Sequence, residues 1–186
     1  AAIGGGGDSI RLVCLLEMLY ATGLRVSELV GLPMSAIGED MQFLMIAGKS
    51  GRERMVPVSE TAQKAIKNYT DVRQQFIASD DKGTQSQWLF PSRTSESGHL
   101  TRQRFAQLLK DLADAAQIPA DRVSPHILRH AFATHLLSNG ADLRSVQKML
   151  GHADIATTQI YTHIVGDKAK ETVEGKHPLS KTGTDA

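Results

Sequence analysis

The sequence predicts a mainly α-helical domain carrying one small antiparallel β-hairpin. Three observations lead there. Several segments place apolar residues at helical spacing behind a Ser or Thr cap. One pair of short apolar runs flanks a Gly-containing turn. The chain of 186 residues, 41% apolar and 22% charged, has the composition of an ordinary globular domain with a real core.

Residues 1–8, AAIGGGGD, read as a flexible lead-in, because four glycines with no preceding strand do not make a phosphate loop. Residues 9–22 form a strongly apolar helix expected to bury Leu12, Leu15, Leu16 and Leu19, with Gly23 as its C-cap. Cys14, the only cysteine, lies inside it and reads as a small buried hydrophobe. A short helix follows, opened by Arg25 and carrying Val26, Leu29 and Val30. Arg25 has two readings at this point: an i,i+3 partner of Glu28, or a phosphate-binding arginine.

Residues 42–46 and 54–58 are short strands around AGKSGRE, with Gly48 and Gly51 supplying the turn and Lys49 at its tip. Lys49 reads as solvated charge on its own, and Arg52 and Arg54 as DNA-backbone contacts or surface charge. Residues 59–78 read as a helix capped by Ser59, with Ala62, Ala65, Ile66, Tyr69 and Phe76 apolar. Trp88, Leu89, Phe90 and Pro91 form a buried anchor between two polar loops; core packing of Trp88 is favoured over DNA stacking. Residues 101–117 read as an amphipathic helix with Phe105, Leu108, Leu109, Leu112 and Ala116 on one face. Its start places Arg102, Gln103 and Arg104 where a helix can meet base edges or phosphates, or simply be exposed.

The densest stretch is residues 124–161, which holds His126, Arg129, His130, His135, His152 and Tyr161. Ser124 caps a helix with Pro125 in its first turn, and Leu128, Ala131, Phe132, His135 and Leu136 fall at helical spacing. His135 is therefore expected on the apolar side as a satisfied core histidine. Asn139-Gly140 ends this helix, Asp142 starts another that ends at Gly151, and Asp154 caps a third carrying Tyr161. His126, Arg129 and His130 share one face near the first helix's N-terminus, where free backbone N–H groups favour an anion. Residues 177–186 read as a disordered tail.

Composition excludes some classes. A net charge of +1 does not by itself indicate a nucleic-acid binder, and 5% aromatics argues against a single-strand stacking platform. No apolar run is long enough to span a membrane and the N-terminus has no signal pattern, so a cytoplasmic protein is expected. His126 and His130 with His152 would make a zinc site, but no His-Glu-x-x-His accompanies them.

The His-x-x-Arg of LRHAFATHLL, the Gly-His of LGHADIATTQIYTH and the tyrosine nine residues beyond that His resemble the signature of the tyrosine site-specific recombinases. With GADLR and TGLRVSEL, the resemblance is to the bacterial Xer recombinases, the XerD branch more than XerC, and covers roughly residues 15–163. It implies the family's catalytic-domain fold over residues 9–176, without the N-terminal helical clamp (SAM-like, core-binding) domain.

The resemblance also implies a reaction. Tyr161 attacks a DNA phosphodiester, Arg25 and Arg129 clamp the phosphate, and His152 donates a hydrogen bond to it. His126 does the same or takes the tyrosine's proton, and Lys49 protonates the leaving 5′-oxygen. Glu28 buttresses the site and His130 holds the helix. No metal or cofactor is implied. The implied partners are a double-stranded DNA recombination site, a sister Xer recombinase in a heterotetramer, and a septal DNA translocase as activator. The implied role is chromosome-dimer resolution. A phage or transposon integrase is the near alternative within the family, a type IB topoisomerase shares the chemistry, and a catalytically silent DNA-binding module is the non-enzymatic alternative.

Overall fold

A computed structural model describes residues 6–48 and 53–150. The central element is α1 (Gly6–Thr22), which begins at Gly6 rather than at residue 9. Leu12, Cys14, Leu15, Met18, Leu19 and Ala21 are all buried along it, whereas Leu16 lies at the margin of the core. α1 packs against both α3 (Glu60–Val72) and α5 (Pro125–Ser138), so it is the beam on which the rest is mounted. It stops at Gly23, whose φ of +60° places it in the left-handed region. A Cβ there would lie 2.5 Å from the Phe132 ring and 2.8 Å from Leu150 Cδ2. Glycine is thus required twice, by backbone conformation and by close packing.

α2 (Val26–Val30) follows at once. The hairpin is present, with β1 (Phe43–Ala47) antiparallel to β2 (Glu53–Pro57) in the register Phe43↔Pro57 through Ala47↔Glu53. Leu44, Ile46 and Val56 point into the core, the expected period of two for a sheet with one covered face. Ser59 caps α3 by accepting from the Ala62 N–H at 3.4 Å. The helix expected over residues 59–78 leaves α geometry at Val72 and continues as a 3-10 turn, Arg73–Phe76. Arg73 there turns back to donate to the carbonyls of Ser86, Trp88 and Leu89. That fixes the buried anchor: Leu89 and Phe90 are fully buried and Phe90 stacks on Tyr69 at 5.2 Å. Trp88 is partly buried, edge-on to His99 at 4.8 Å between centroids.

α4 (Arg102–Ala115) starts from Thr101, which accepts from the Arg104 N–H at 3.1 Å. Phe105, Leu108 and Leu109 are buried and Leu112 partly so. Ala116, expected on the same face, is exposed because the helix has already ended; Ala113 fills the inward position. α5 begins from Ser124, which accepts from the Ile127 N–H at 3.2 Å. α6 (Leu143–Leu150) begins from Asp142, which accepts from the N–H groups of Arg144 and Ser145 at 2.9 and 3.1 Å.

Among the described residues two apolar clusters result. The larger joins α1–α4 and the hairpin; the smaller joins Phe132 and Leu136 of α5 to Val146, Met149 and Leu150 of α6. His135 is corrected by the structure. It sits on the exposed edge of α5, not in the core, where its Nδ1 and the Tyr20 hydroxyl share a 2.5 Å hydrogen bond. An imidazole one step off the Phe132–Leu136 stripe reaches water and a polar partner on α1 together.

Candidate active site

Leu24, fully buried, pins the chain between α1 and α2 and sends the next residue, Arg25, outward. Arg25 stands at the N-terminus of α2 in extended conformation. Its backbone N–H donates to Glu28 Oε2 at 2.8 Å and its Nη1 donates to Oε1 at 3.1 Å. The i,i+3 pair is therefore real, and it does not conceal the guanidinium: 46% of the Arg25 side chain stays exposed.

Glu28 is held from a second side by Arg54 of β2, through Nη1 to Oε1 at 3.1 Å and Nη2 to Oε2 at 2.8 Å. This corrects the reading of Arg54 as a backbone contact or surface charge, since its side chain is only 12% exposed. Burial alone would raise the Glu28 pKa. The hydrogen bonds from Arg54 and from the Arg25 backbone, with the charges of both arginines, outweigh it and hold the carboxyl below its ordinary range.

Arg129 comes to the same place from α5. Its Nη1 donates to the Gly23 carbonyl and its Nη2 to the Leu150 carbonyl at 2.5 Å. These are carbonyls at the C-terminal ends of α1 and α6, groups that a helix end leaves without an internal partner. A cation there is favoured by both helix dipoles. Burial lowers the Arg129 pKa to about 10; the like charges of Arg25 and Arg54 add to the lowering, and Glu28 opposes it. The guanidinium stays charged at neutral pH. Arg129 thus lies in the electrostatic neighbourhood of the pair that Arg25 and Arg54 make with Glu28, while its own hydrogen bonds go to backbone carbonyls.

His126 lies exposed in the first turn of α5, one turn before Arg129 and beside that helix's free N–H groups. His130 is exposed on the next turn. Arg102, Gln103 and Arg104 are exposed together at the start of α4, which packs against α2. Lys49, Arg52, His152, Tyr161 and the helix expected after Asp154 lie outside the described residues. Among the described residues, no three His, Cys, Asp or Glu side chains cluster as a metal site. No helix among them is long and apolar enough to cross a membrane. Sequence reasoning did not anticipate Arg54 as the second partner of Glu28, or the two carbonyls that hold Arg129. Neither leaves a local signal, because the partners are 26, 106 and 21 residues apart.

The model of the phage integrase family matches residues 2–167. The chain belongs to this family. Among its curated relatives, the tyrosine recombinase XerD of Caulobacter vibrioides is 51% identical over 94% of this chain and 56% of its own length. That of Brucella suis biovar 1 is 55% identical over 92% of this chain and 54% of its own. The chain thus spans about half the length of these relatives. Among solved structures, the XerA recombinase aligns with a TM-score of 0.66 at 35% identity, covering 92% of this chain and 59% of XerA. The XerH recombinase bound to its difH substrate aligns with a TM-score of 0.67 at 24% identity, covering 87% of this chain and 45% of XerH, a likeness of fold. The expected tyrosine recombinase catalytic-domain fold, mostly helical with a two-stranded antiparallel sheet, is the one observed.

Proposed function

We propose that this chain, over residues 9–176, is the catalytic domain of a site-specific DNA recombinase of the Xer type. It cleaves and rejoins strands through a 3′-phosphotyrosyl link. The observation that carries the reading is that Arg129, 104 residues beyond Arg25 in sequence, donates to the Gly23 carbonyl two residues before Arg25, where α1 meets α2 and α5. Attack on a phosphodiester places additional charge on the non-bridging oxygens. Two pre-set guanidiniums hold that charge without reorganising as it develops. His126 adds a donor at the N-terminus of α5, and His152 a second.

Tyr161 is the nucleophile. A phenol with a pKa near 10 needs cationic neighbours or a base to react at neutral pH. Lys49, which falls between β1 and β2 in sequence, protonates the leaving 5′-oxygen. The covalent link keeps the bond's free energy, so a 5′-hydroxyl from a partner duplex reverses the step without ATP. Arg52, Arg102, Gln103 and Arg104 are the DNA-contact candidates. The identity of 51–55% to proteins named XerD supports chromosome-dimer resolution over phage or transposon integration. With that role we propose a sister Xer recombinase as partner, a septal DNA translocase as activator and work in the cytoplasm.

The test is a library of nicked duplexes randomised on both sides of the nick, from which covalent protein–DNA adducts are recovered after denaturation. Adducts from the native chain, absent in Tyr161→Phe, are expected; no adduct, or adducts that persist in Tyr161→Phe, would refute the reading. Binding of the captured duplex should weaken steeply with added salt, because phosphate contacts release counterions.

A further inference from the structure

We propose that Arg54 is a positioning residue for the phosphate clamp: its two-pronged grip on Glu28 occupies that carboxylate so that Arg25 keeps its exposed edge for DNA. The inference rests on the function proposed above and deepens it. A carboxylate has about four acceptor sites. Here each oxygen accepts twice, Oε1 from Arg25 Nη1 and Arg54 Nη1, Oε2 from the Arg25 backbone N–H and Arg54 Nη2.

The two arginines are unequal partners. The Arg54 side chain is 12% exposed and that of Arg25 is 46% exposed. Arg54 gives both terminal nitrogens to Glu28 while its buried Nε has no hydrogen-bond partner among the described residues, a desolvation that the grip on Glu28 offsets. Arginine and carboxylate otherwise pair fork to fork. Without Arg54, the largely buried Glu28 would draw the fork of Arg25 onto itself, and the charge meant for a phosphate would be spent on a carboxylate. Arg54 also lies on β2, so the same ion pair ties the hairpin to α2.

The experiment measures single-turnover adduct formation and duplex affinity separately, on a duplex captured from the nicked library. Arg54→Met should slow adduct formation tenfold or more while changing Kd less than threefold. Adding Glu28→Gln to Arg54→Met should return at least threefold of the lost rate, because an amide no longer captures Arg25. A lost scaffold would not be relieved by a second substitution at the same spot. Arg54→Lys keeps the charge but not the fork. It should fall between the two and, if Arg54→Met does not fold by circular dichroism, carries the same comparison.

A native rate in the Arg54 variants, a loss confined to Kd, or no relief by Glu28→Gln would overturn the proposal. Should the native chain form no adduct, the recombinase reading fails on its own. The Arg54 link is then decided by carbon-13 NMR of the Glu28 carboxyl, whose titration midpoint must rise in Arg54→Met; an unmoved midpoint overturns it.

Discussion

The two arginines at the centre of the site are held in opposite ways. Arg25 is held by charge, through a carboxylate that it shares with Arg54. Arg129 is held by neutral backbone, through carbonyls at the ends of α1 and α6. A carbonyl anchor fixes a guanidinium without introducing a full counter-charge, whereas a carboxylate anchor does so only when a second cation balances it. The first arrangement depends on helix ends being in place, and the second on protonation and on a strand far away in sequence. Arg129 should therefore respond to changes in packing, and Arg25 to changes in charge.

The sharpest way to break the comparison is Arg129→Lys. An ammonium cannot span the Gly23 and Leu150 carbonyls and still present a planar fork, so adduct formation should fall by about 10²–10³, the usual cost of losing one pre-set donor. Single-turnover assays at saturating duplex would read this, and a loss below tenfold would show that the carbonyl anchors do not set the geometry. Next in size is Gly23→Ala. The left-handed conformation alone costs a residue with a Cβ about 1–2 kcal/mol, and overlap with Phe132 adds about 1–3 kcal/mol. Urea unfolding should show at least the first of these, while Leu24→Ile, a volume-conserving change, should stay under about 1.5 kcal/mol.

Acid titration sharpens the charged half. Glu28 has a folded pKa below its unfolded value, so its ion pairs stabilise the fold fully above the ordinary carboxylate range of about 4.3. That contribution is lost as pH falls through the lower folded value. The Tm difference between the native chain and Glu28→Gln should thus shrink on acidification below that range; a gap constant down to strong acid would contradict it. The smallest effect is expected from Tyr20→Phe, which removes the hydrogen bond to His135 and with it a tether between α1 and α5. At a partly solvated site this is worth about 0.5–1 kcal/mol in the same urea experiment.

Local patterns were readable in the chain, and long-range ones were not. Ser59, Thr101, Ser124 and Asp142 announced their helices because a cap acts within three residues of itself. The hairpin was readable from the alternation around AGKSGRE, and the Arg25–Glu28 pair from its i,i+3 spacing. His135 was misplaced because helical spacing gives a residue's angle around the helix but not where the core's edge falls. Arg54 was missed for a different reason. Its alternation in β2 says only which face it takes, and the carboxylate it meets belongs to a helix that folding alone brings near. Recognition of Arg25 and Arg129 as a pair likewise came from family resemblance; spacing could not have joined them.

The burial of Cys14 has a practical consequence. The chain's one thiol is fully enclosed in α1, and burial there pushes its pKa up, away from the reactive thiolate. A cysteine introduced at an exposed site, such as Gln103 at the head of α4, would be the sole position open to maleimide dyes under native conditions. Fluorescent labelling for single-molecule work can therefore proceed without first deleting the native sulfur.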